Sequence, residues 1–369
     1  MKVAIAHEFL TQFGGAERVL LALNEIYPDA PIYVLVRKDF KQDNYFKNLN
    51  IHTSSLQKWF NLLGKRQKLL LSFYPYAIEQ FNFSEFDLVI SSSNSFAKGI
   101  ITSPDTIHIC YCHSPTRYLW DYKDEYLKEQ GMSVFSKVVV NKMLDNLRIW
   151  DYQAAQRVDY FIANSMNVKK RIKKYYRHDS EVIYPPVGIK KFNLNNKRQG
   201  DYFLLAGRLS AYKKTELALE AFSQLKDKLV IIGEGADFYK FKNRKLKNVN
   251  FVGFVDDKKL EGYYQNCCAL IFPQEEDFGI IPVEAMATGT PVIAYKKGGT
   301  IETVIDGETG IFFEKQSKGE IMDAIERFKK IKHKFNPTLI RKHAEKFDER
   351  IFKEKVKKFI FNIMKDEKT

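Results

Sequence analysis

Short apolar runs alternate with amphipathic helical patterns along almost the whole chain, and no other feature constrains its fold as tightly. Apolar runs of three to six residues separated by helical periodicity are strands buried on both faces, as in parallel sheets built from strand–helix–strand units. They fall at 2–6, 32–36, 88–91, 107–112, 160–163 and 182–184, then restart at 202–206, 229–232, 249–254, 269–272, 291–294 and 310–313. Between the two sets lies Tyr184-Pro185-Pro186-Val187-Gly188 and then the polar stretch 190–201, a linker by composition because two prolines forbid a continuing helix. The expectation is an α/β fold of two doubly wound domains, 1–188 and 200–350, facing across a cleft. A C-terminal helix at 351–369 is expected to pack back on the first domain. The length of 369 residues suits two domains of about 150 residues each.

Composition narrows the function. With 45% hydrophobic and 28% charged residues the chain can build a core in each half, which excludes wholesale disorder. No stretch approaches the ~20 apolar residues of a membrane-crossing helix, and the run before His7 and Glu8 is too short for a signal-peptide core. Four cysteines are too sparse for a disulfide framework, so a reducing cytoplasm is expected. Cys110-Tyr111-Cys112-His113 lacks a second pair at ligand spacing, so no metal is expected. The net charge of +14 implies an acidic partner, and residues 1–200 carry more of it, 28 basic against 19 acidic side chains compared with 31 against 26 beyond. A nucleotide-sugar phosphate or an anionic membrane suits this charge. Nucleic acid is disfavoured because no recognised binding motif is present.

Three motifs fall where such sheets place ligands, past the carboxyl ends of strands. Gly14-Gly15 opens a helix after the first strand, where the backbone could approach a phosphate or simply turn tightly. Arg208 and the pair Lys213-Lys214 follow the strand 202–206, placing a guanidinium and an ammonium where a departing diphosphate would need them. In Gln274-Glu275-Glu276-Asp277-Phe278-Gly279-Ile280-Ile281-Pro282-Val283-Glu284, Pro282 suits the first turn of a helix and Gly289 its end. Glu276 then lies in the loop before that helix and Glu284 within its first turns. Two carboxylates can hold hydroxyls along one extended ligand while the N–H groups of Phe278, Gly279 and Ile280 face an anion.

The segment from Glu276 to Glu284, with Gly289-Thr290-Pro291-Val292-Ile293-Ala294 and Gly298-Gly299-Thr300-Ile301-Glu302, resembles glycosyltransferase family 4, whose members have the two-domain GT-B fold with Rossmann-like halves. The first half is similar to bacterial mannosyltransferases of O-antigen and capsule assembly through Gly14-Gly15-Ala16-Glu17-Arg18, Ile90-Ser91-Ser92-Ser93 and Cys112-His113-Ser114-Pro115-Thr116-Arg117-Tyr118. The resemblance implies a retaining, metal-free transfer from a nucleotide-sugar. Glu276 would hold the sugar hydroxyls, Glu284 the ribose, and Arg208 and Lys213 the diphosphate. Gly14 and Gly15 would approach the donor from the other domain, and His113 would lie by the sugar's C6 hydroxyl. Gly233 and Val255 would border the nucleobase, and Arg117 would serve the acceptor.

GDP-mannose is the expected donor, with UDP-linked hexoses as the alternative. A nucleotide-sugar epimerase and a polyanion-binding protein are further readings that product analysis separates. The acceptor is expected to be a glycan, lipid-linked, at the inner face of the cytoplasmic membrane. Residues 56–76 would reach that surface, with Leu56, Trp59, Phe60, Leu63 and Leu70 on one helical face and Lys58, Lys65, Arg66 and Lys68 toward lipid phosphates. An ordinary amphipathic helix packed on the sheet has the same pattern.

Overall fold

The computed structural model describes residues 1–40, 43–129, 133–195 and 200–367, apart from the side chains of Lys65, Arg66, Lys68, Glu129, Val134 and Phe135. The chain divides into two units, Met1–Pro185 with Lys353–Thr369 and Pro186–Phe352.

The first unit is built on a parallel sheet of β1 (Val3–Leu10), β2 (Ile32–Arg37), β3 (Ile51–Thr53), β4 (Leu88–Ser93), β5 (Ile107–Cys112), β6 (Tyr160–Ala163) and β7 (Glu181–Val182), in the order β3-β2-β1-β4-β5-β6-β7. Its central strands are apolar because helices cover both faces. The strand β1 runs beyond its apolar run to Leu10, carrying His7 and Glu8 into the sheet, with His7 in register with Ser92 of β4. These polar groups tolerate burial because they bond to one another. The short edge strand β3 went unread because its residues are partly or fully exposed and carry no apolar run.

The segment 56–76 corrects one expectation. Leu56, Phe60, Leu70 and Tyr74 enter the core beside Phe9 and Phe96, so Phe60 is not available to a membrane. Trp59, Leu62, Leu69, Phe73 and Tyr76 are the exposed apolar residues instead. The expected contacts of Lys65, Arg66 and Lys68 lie outside the described side chains. Among the described residues no helix is long and apolar enough to cross a membrane.

The second unit holds β8 (Tyr202–Ala206), β9 (Lys228–Ile232), β10 (Val249–Gly253), β11 (Leu270–Phe272), β12 (Val292–Tyr295) and β13 (Gly310–Phe313), parallel in the order β10-β9-β8-β11-β12-β13. Residues 186–195, a linker by composition, are part of this unit: Val187 N–H donates to Phe347 O at 3.1 Å and Asn195 N–H to Thr288 O at 3.2 Å. The helix Glu349–Asp366 belongs to the first unit from Lys353 onward, where Lys353 pairs with Glu25 and Tyr160 donates to Glu367 at 2.8 Å. In each sheet the strand order reverses once, between β1 and β4 and between β8 and β11. Ligands of open α/β sheets bind outside the strand ends at such reversals.

Candidate functional site

At the reversal in the second unit, β8 gives way to a loop that turns at Gly207 and carries Arg208, Tyr212 and Lys213. The loop is packed onto the end of β9: a Cβ on Gly233 would lie 1.8 Å from the Gly207 carbonyl oxygen, so only glycine fits. Glu276 arrives from the end of β11, and its carboxylate accepts from the Lys213 ammonium. That ammonium also lies 4.9 Å from the centre of the Tyr212 ring, while Arg208 donates to Tyr212 Oη at 3.1 Å. Burial works against the charge on Lys213, but the Glu276 carboxylate and Tyr212 outweigh it and hold the pKa above the ordinary lysine value. Arg208, Tyr212, Lys213 and Glu276 are thus one cluster, held by a cation–π and a charge-assisted contact.

The loop bearing Glu276 is fixed by its backbone. Glu276 bridges Gly298, and Gly299 N–H donates to Glu276 O at 2.8 Å. Phe278 is buried edge-on to Phe347 at 5.5 Å, and Gly279, at φ +90°, starts the helix Ile280–Ala287. Glu284 is buried in that helix and accepts from Tyr264 Oη at 3.2 Å. Val255 is half-buried, two residues past the end of β10.

The reversal in the first unit gathers a second cluster. Ser92 Oγ lies 3.1 Å from His7 Nδ1 and 2.8 Å from His113 Nε2, and His7 Nε2 lies 3.9 Å from Glu17 Oε1. Gly14 N–H donates to Glu17 Oε2 at 2.8 Å, capping the helix Gly15–Ile26, so Gly14 and Gly15 start a helix whose first turn faces His7. Burial, then His7, lowers the His113 pKa to about 3, leaving its imidazole neutral. Glu8 Oε1 accepts from Ser93 Oγ at 3.0 Å and from the backbone N–H of Asn94 and Ser95, while its buried Oε2 has no hydrogen-bond partner among the described residues. A cavity of about 400 Å³ opens here, lined by Glu8, Phe9, Tyr74, Tyr118 and Tyr126. The Arg117 guanidinium lies over the Tyr122 ring, 5.6 Å from its centre. Its loop is anchored on Asp151, which accepts from Lys98 at 2.5 Å, Thr116 at 2.6 Å, Trp120 at 2.8 Å and Tyr176 at 2.9 Å.

Sequence reasoning missed Tyr212, His7, Glu8, Glu17, Ser92 and Asp151 as parts of these clusters. A signal existed for two of them, since His7-Glu8 interrupts an apolar strand at its carboxyl end. Cys110 and Cys112 are buried in β5. Among the described residues no three His, Cys, Asp or Glu side chains group as metal ligands.

Both units have relatives among known proteins. Residues 13–191 match the model of Glycosyltransferase Family 4, and residues 188–353 that of Glycosyl transferases group 1. The α-1,3/1,6-mannosyltransferase Alg2 of Schizosaccharomyces pombe is 26% identical over 331 residues, covering 76% of this chain and 60% of that protein. The lipopolysaccharide 1,2-N-acetylglucosaminetransferase of Salmonella typhimurium is 34% identical over 154 residues, 36% of this chain and 40% of that one. The chain spans about half the length of the curated relatives it matches. Among solved structures, Anabaena HepE in complex with UDP and glucose superposes with a TM-score of 0.70 at 19% identity, covering 98% of this chain and 99% of that one. That likeness establishes the fold as two Rossmann-like domains of the GT-B type, and with both halves matched by their family models the chain belongs to glycosyltransferase family 4.

Proposed function

We propose that the protein transfers a hexose, mannose from GDP-mannose, to a hydroxyl of a lipid-linked glycan in surface-polysaccharide synthesis, with retention at the anomeric carbon. The observation that carries this reading is the cluster of Arg208, Tyr212, Lys213 and Glu276 at the strand-order reversal of the second unit. Two cations and a carboxylate on one loop pair suit a diphosphate joined to a polyol. Arg208 and Lys213 would neutralise the charge that grows on the diphosphate as the anomeric carbon–oxygen bond breaks. Glu276 would accept from sugar hydroxyls and Glu284 from the ribose, with Gly233 and Val255 beside the base. The first unit would contribute Gly14, Gly15 and the neutral imidazole of His113, with Arg117 serving the acceptor. No carboxylate is assigned to the opposite face of the sugar, so the reading takes the front-face course. The leaving diphosphate oxygen accepts the acceptor's proton as the new carbon–oxygen bond forms, and no metal takes part.

Membrane attachment belongs to the same reading, with the exposed Trp59, Leu62, Leu69, Phe73 and Tyr76 as the apolar footprint. The mannosyl donor is supported by the Alg2 relatives. The alternative of a UDP-hexose is favoured by the UDP in the structurally similar HepE. Thermal shifts with GDP, GDP-mannose, UDP and UDP-glucose test the donor without any acceptor, because a ligand at 100 times its Kd stabilises by about 2.7 kcal/mol. A shift with the guanine pair alone supports GDP-mannose. A shift confined to the uracil pair rejects it.

A further inference from the structure

The cluster in the first unit contains a proton-ordering problem with one favoured answer. A serine hydroxyl has one proton to donate, yet Ser92 Oγ lies within hydrogen-bond distance of a nitrogen on each of two imidazoles, His7 Nδ1 at 3.1 Å and His113 Nε2 at 2.8 Å. If Ser92 donates to one ring, the other must donate to Ser92, or two lone pairs would face each other. The protons therefore run along the chain of groups in one direction or the other.

Glu17 selects the direction. Its Oε1 lies 3.9 Å from His7 Nε2, too far for a hydrogen bond but close for an electrostatic preference, and both side chains are almost wholly buried. An N–H facing a carboxylate is favoured there over a bare lone pair. The other Glu17 oxygen is held by Gly14 N–H at the start of the helix Gly15–Ile26, where the helix dipole favours an anion. A His7 ring with one proton thus carries it on Nε2, its Nδ1 accepts from Ser92, and Ser92 Oγ in turn accepts from His113 Nε2–H.

We infer that Glu17, acting through His7 and Ser92, fixes His113 as the tautomer protonated on Nε2, so that its Nδ1 is an acceptor for a ligand hydroxyl. Nδ1 is the ring nitrogen of His113 that Ser92 does not engage. The main chain at His113 is anchored on both sides, its N–H donating to Ser93 O at 2.7 Å and its carbonyl accepting from Asn164 Nδ2 at 2.8 Å, and the imidazole lies 5.3 Å from the Tyr111 ring, centre to centre. A bare nitrogen accepts from an O–H and disfavours a carbonyl or carboxylate, so the group it selects is a hydroxyl. That the hydroxyl belongs to the transferred sugar rests on the function proposed above. Ser92 and His7 are then positioning residues.

The test is nitrogen–proton correlation NMR on the full chain labelled in its histidine rings, with the His113 signals identified by their loss in His113→Gln. Wild type should show His113 protonated on Nε2 and bare on Nδ1. Ser92→Ala and Glu17→Gln should each give a tautomer mixture, and Ser92→Thr, which keeps the hydroxyl, should restore the wild-type pattern. A His113 proton on Nδ1 in wild type, or a pattern indifferent to both Ser92→Ala and Glu17→Gln, overturns the relay. Turnover is read separately on the same variants: a fall in kcat of about tenfold in Ser92→Ala, recovered in Ser92→Thr, is the loss expected for one neutral hydrogen bond. An intact kcat beside the predicted spectra leaves the relay standing and removes His113 from the sugar.

Discussion

A methyl group at Gly299 should damage the site from outside it. Gly299 has an ordinary φ of −68°, so alanine brings no backbone strain of its own. Its Cβ, however, would lie 2.4 Å from Phe278 O, 2.3 Å from Phe278 Cα and 2.6 Å from Asp277 O. Ordinary contact begins near 3.4 Å, so one strand of backbone must retreat by about 1 Å. The glycine side is pinned by Thr300 Oγ1, which donates to Tyr295 O at 2.7 Å and Lys297 O at 3.0 Å, so the loop carrying Glu276 is the one to move. Overpacking of this kind costs about 1–3 kcal/mol. A displacement of about 1 Å at a reacting centre can cost on the order of 100-fold in rate. Gly299→Ala should therefore fold, melt modestly lower and lose about 100-fold in kcat. Gly319→Ala is the control: nothing lies within 4 Å of its Cβ, and in the helix Lys318–Ile331 it should be neutral or stabilising by up to about 1 kcal/mol. Turnover of Gly299→Ala within about twofold of wild type would refute the claim that this backbone clamp sets the Glu276 loop.

Removing the Asp151 carboxylate as Asp151→Ala leaves the Lys98 ammonium, 2% exposed, without its carboxylate, and urea midpoints should show a loss of about 3–5 kcal/mol; less than about 1 kcal/mol would contradict the reading. Burial and Arg157 lower the His108 pKa to about 3, and His113 is lowered in the same sense, so both stay neutral in the fold but take up protons near 6.5 when unfolded. The unfolded state binds more protons, and stability should therefore fall as pH drops from about 6.5 toward 3, His108 alone costing about 2 kcal/mol near pH 5. Denaturation at pH 7.5 and pH 5 should show a flatter dependence in His108→Gln, and equal slopes would contradict it. Sedimentation with anionic liposomes at low salt should carry down the wild type and release a Trp59→Ser, Leu62→Ser, Leu69→Ser variant; equal recovery in the supernatant for both would leave those residues as plain surface.

The second unit was almost fully legible because strands buried on both faces are written as apolar runs, and each expected run there lies within about a residue of an observed strand. The first unit was harder where polar groups are buried in pairs. His7 and Glu8 look like the end of a strand until Ser92 and Ser93, 85 residues away, are placed beside them. Lys213 and Glu276 were each legible as candidates through the family resemblance, but their pairing across 63 residues was not. Phe60 shows the limit of periodicity: an apolar stripe fits a membrane and a core equally, and only the position of Phe9, Tyr74 and Phe96 decides that Phe60 turns inward while Trp59 turns out. The reason for Gly298-Gly299 was invisible as well, since a glycine motif does not say which backbone approaches it.

The central claim is that the Lys213–Glu276 cluster performs nucleotide-sugar chemistry. It is tested most directly by following release of GDP from GDP-mannose, in EDTA, by wild type and by Lys213→Ala with its fold checked by circular dichroism. The account predicts metal-independent turnover in the wild type and a loss of about 100- to 1,000-fold in the variant, the roughly 2.7–4 kcal/mol expected for one transition-state donor. A Lys213→Ala enzyme within about twofold of wild type, or activity that vanishes in EDTA and returns with Mg²⁺ or Mn²⁺, would contradict it.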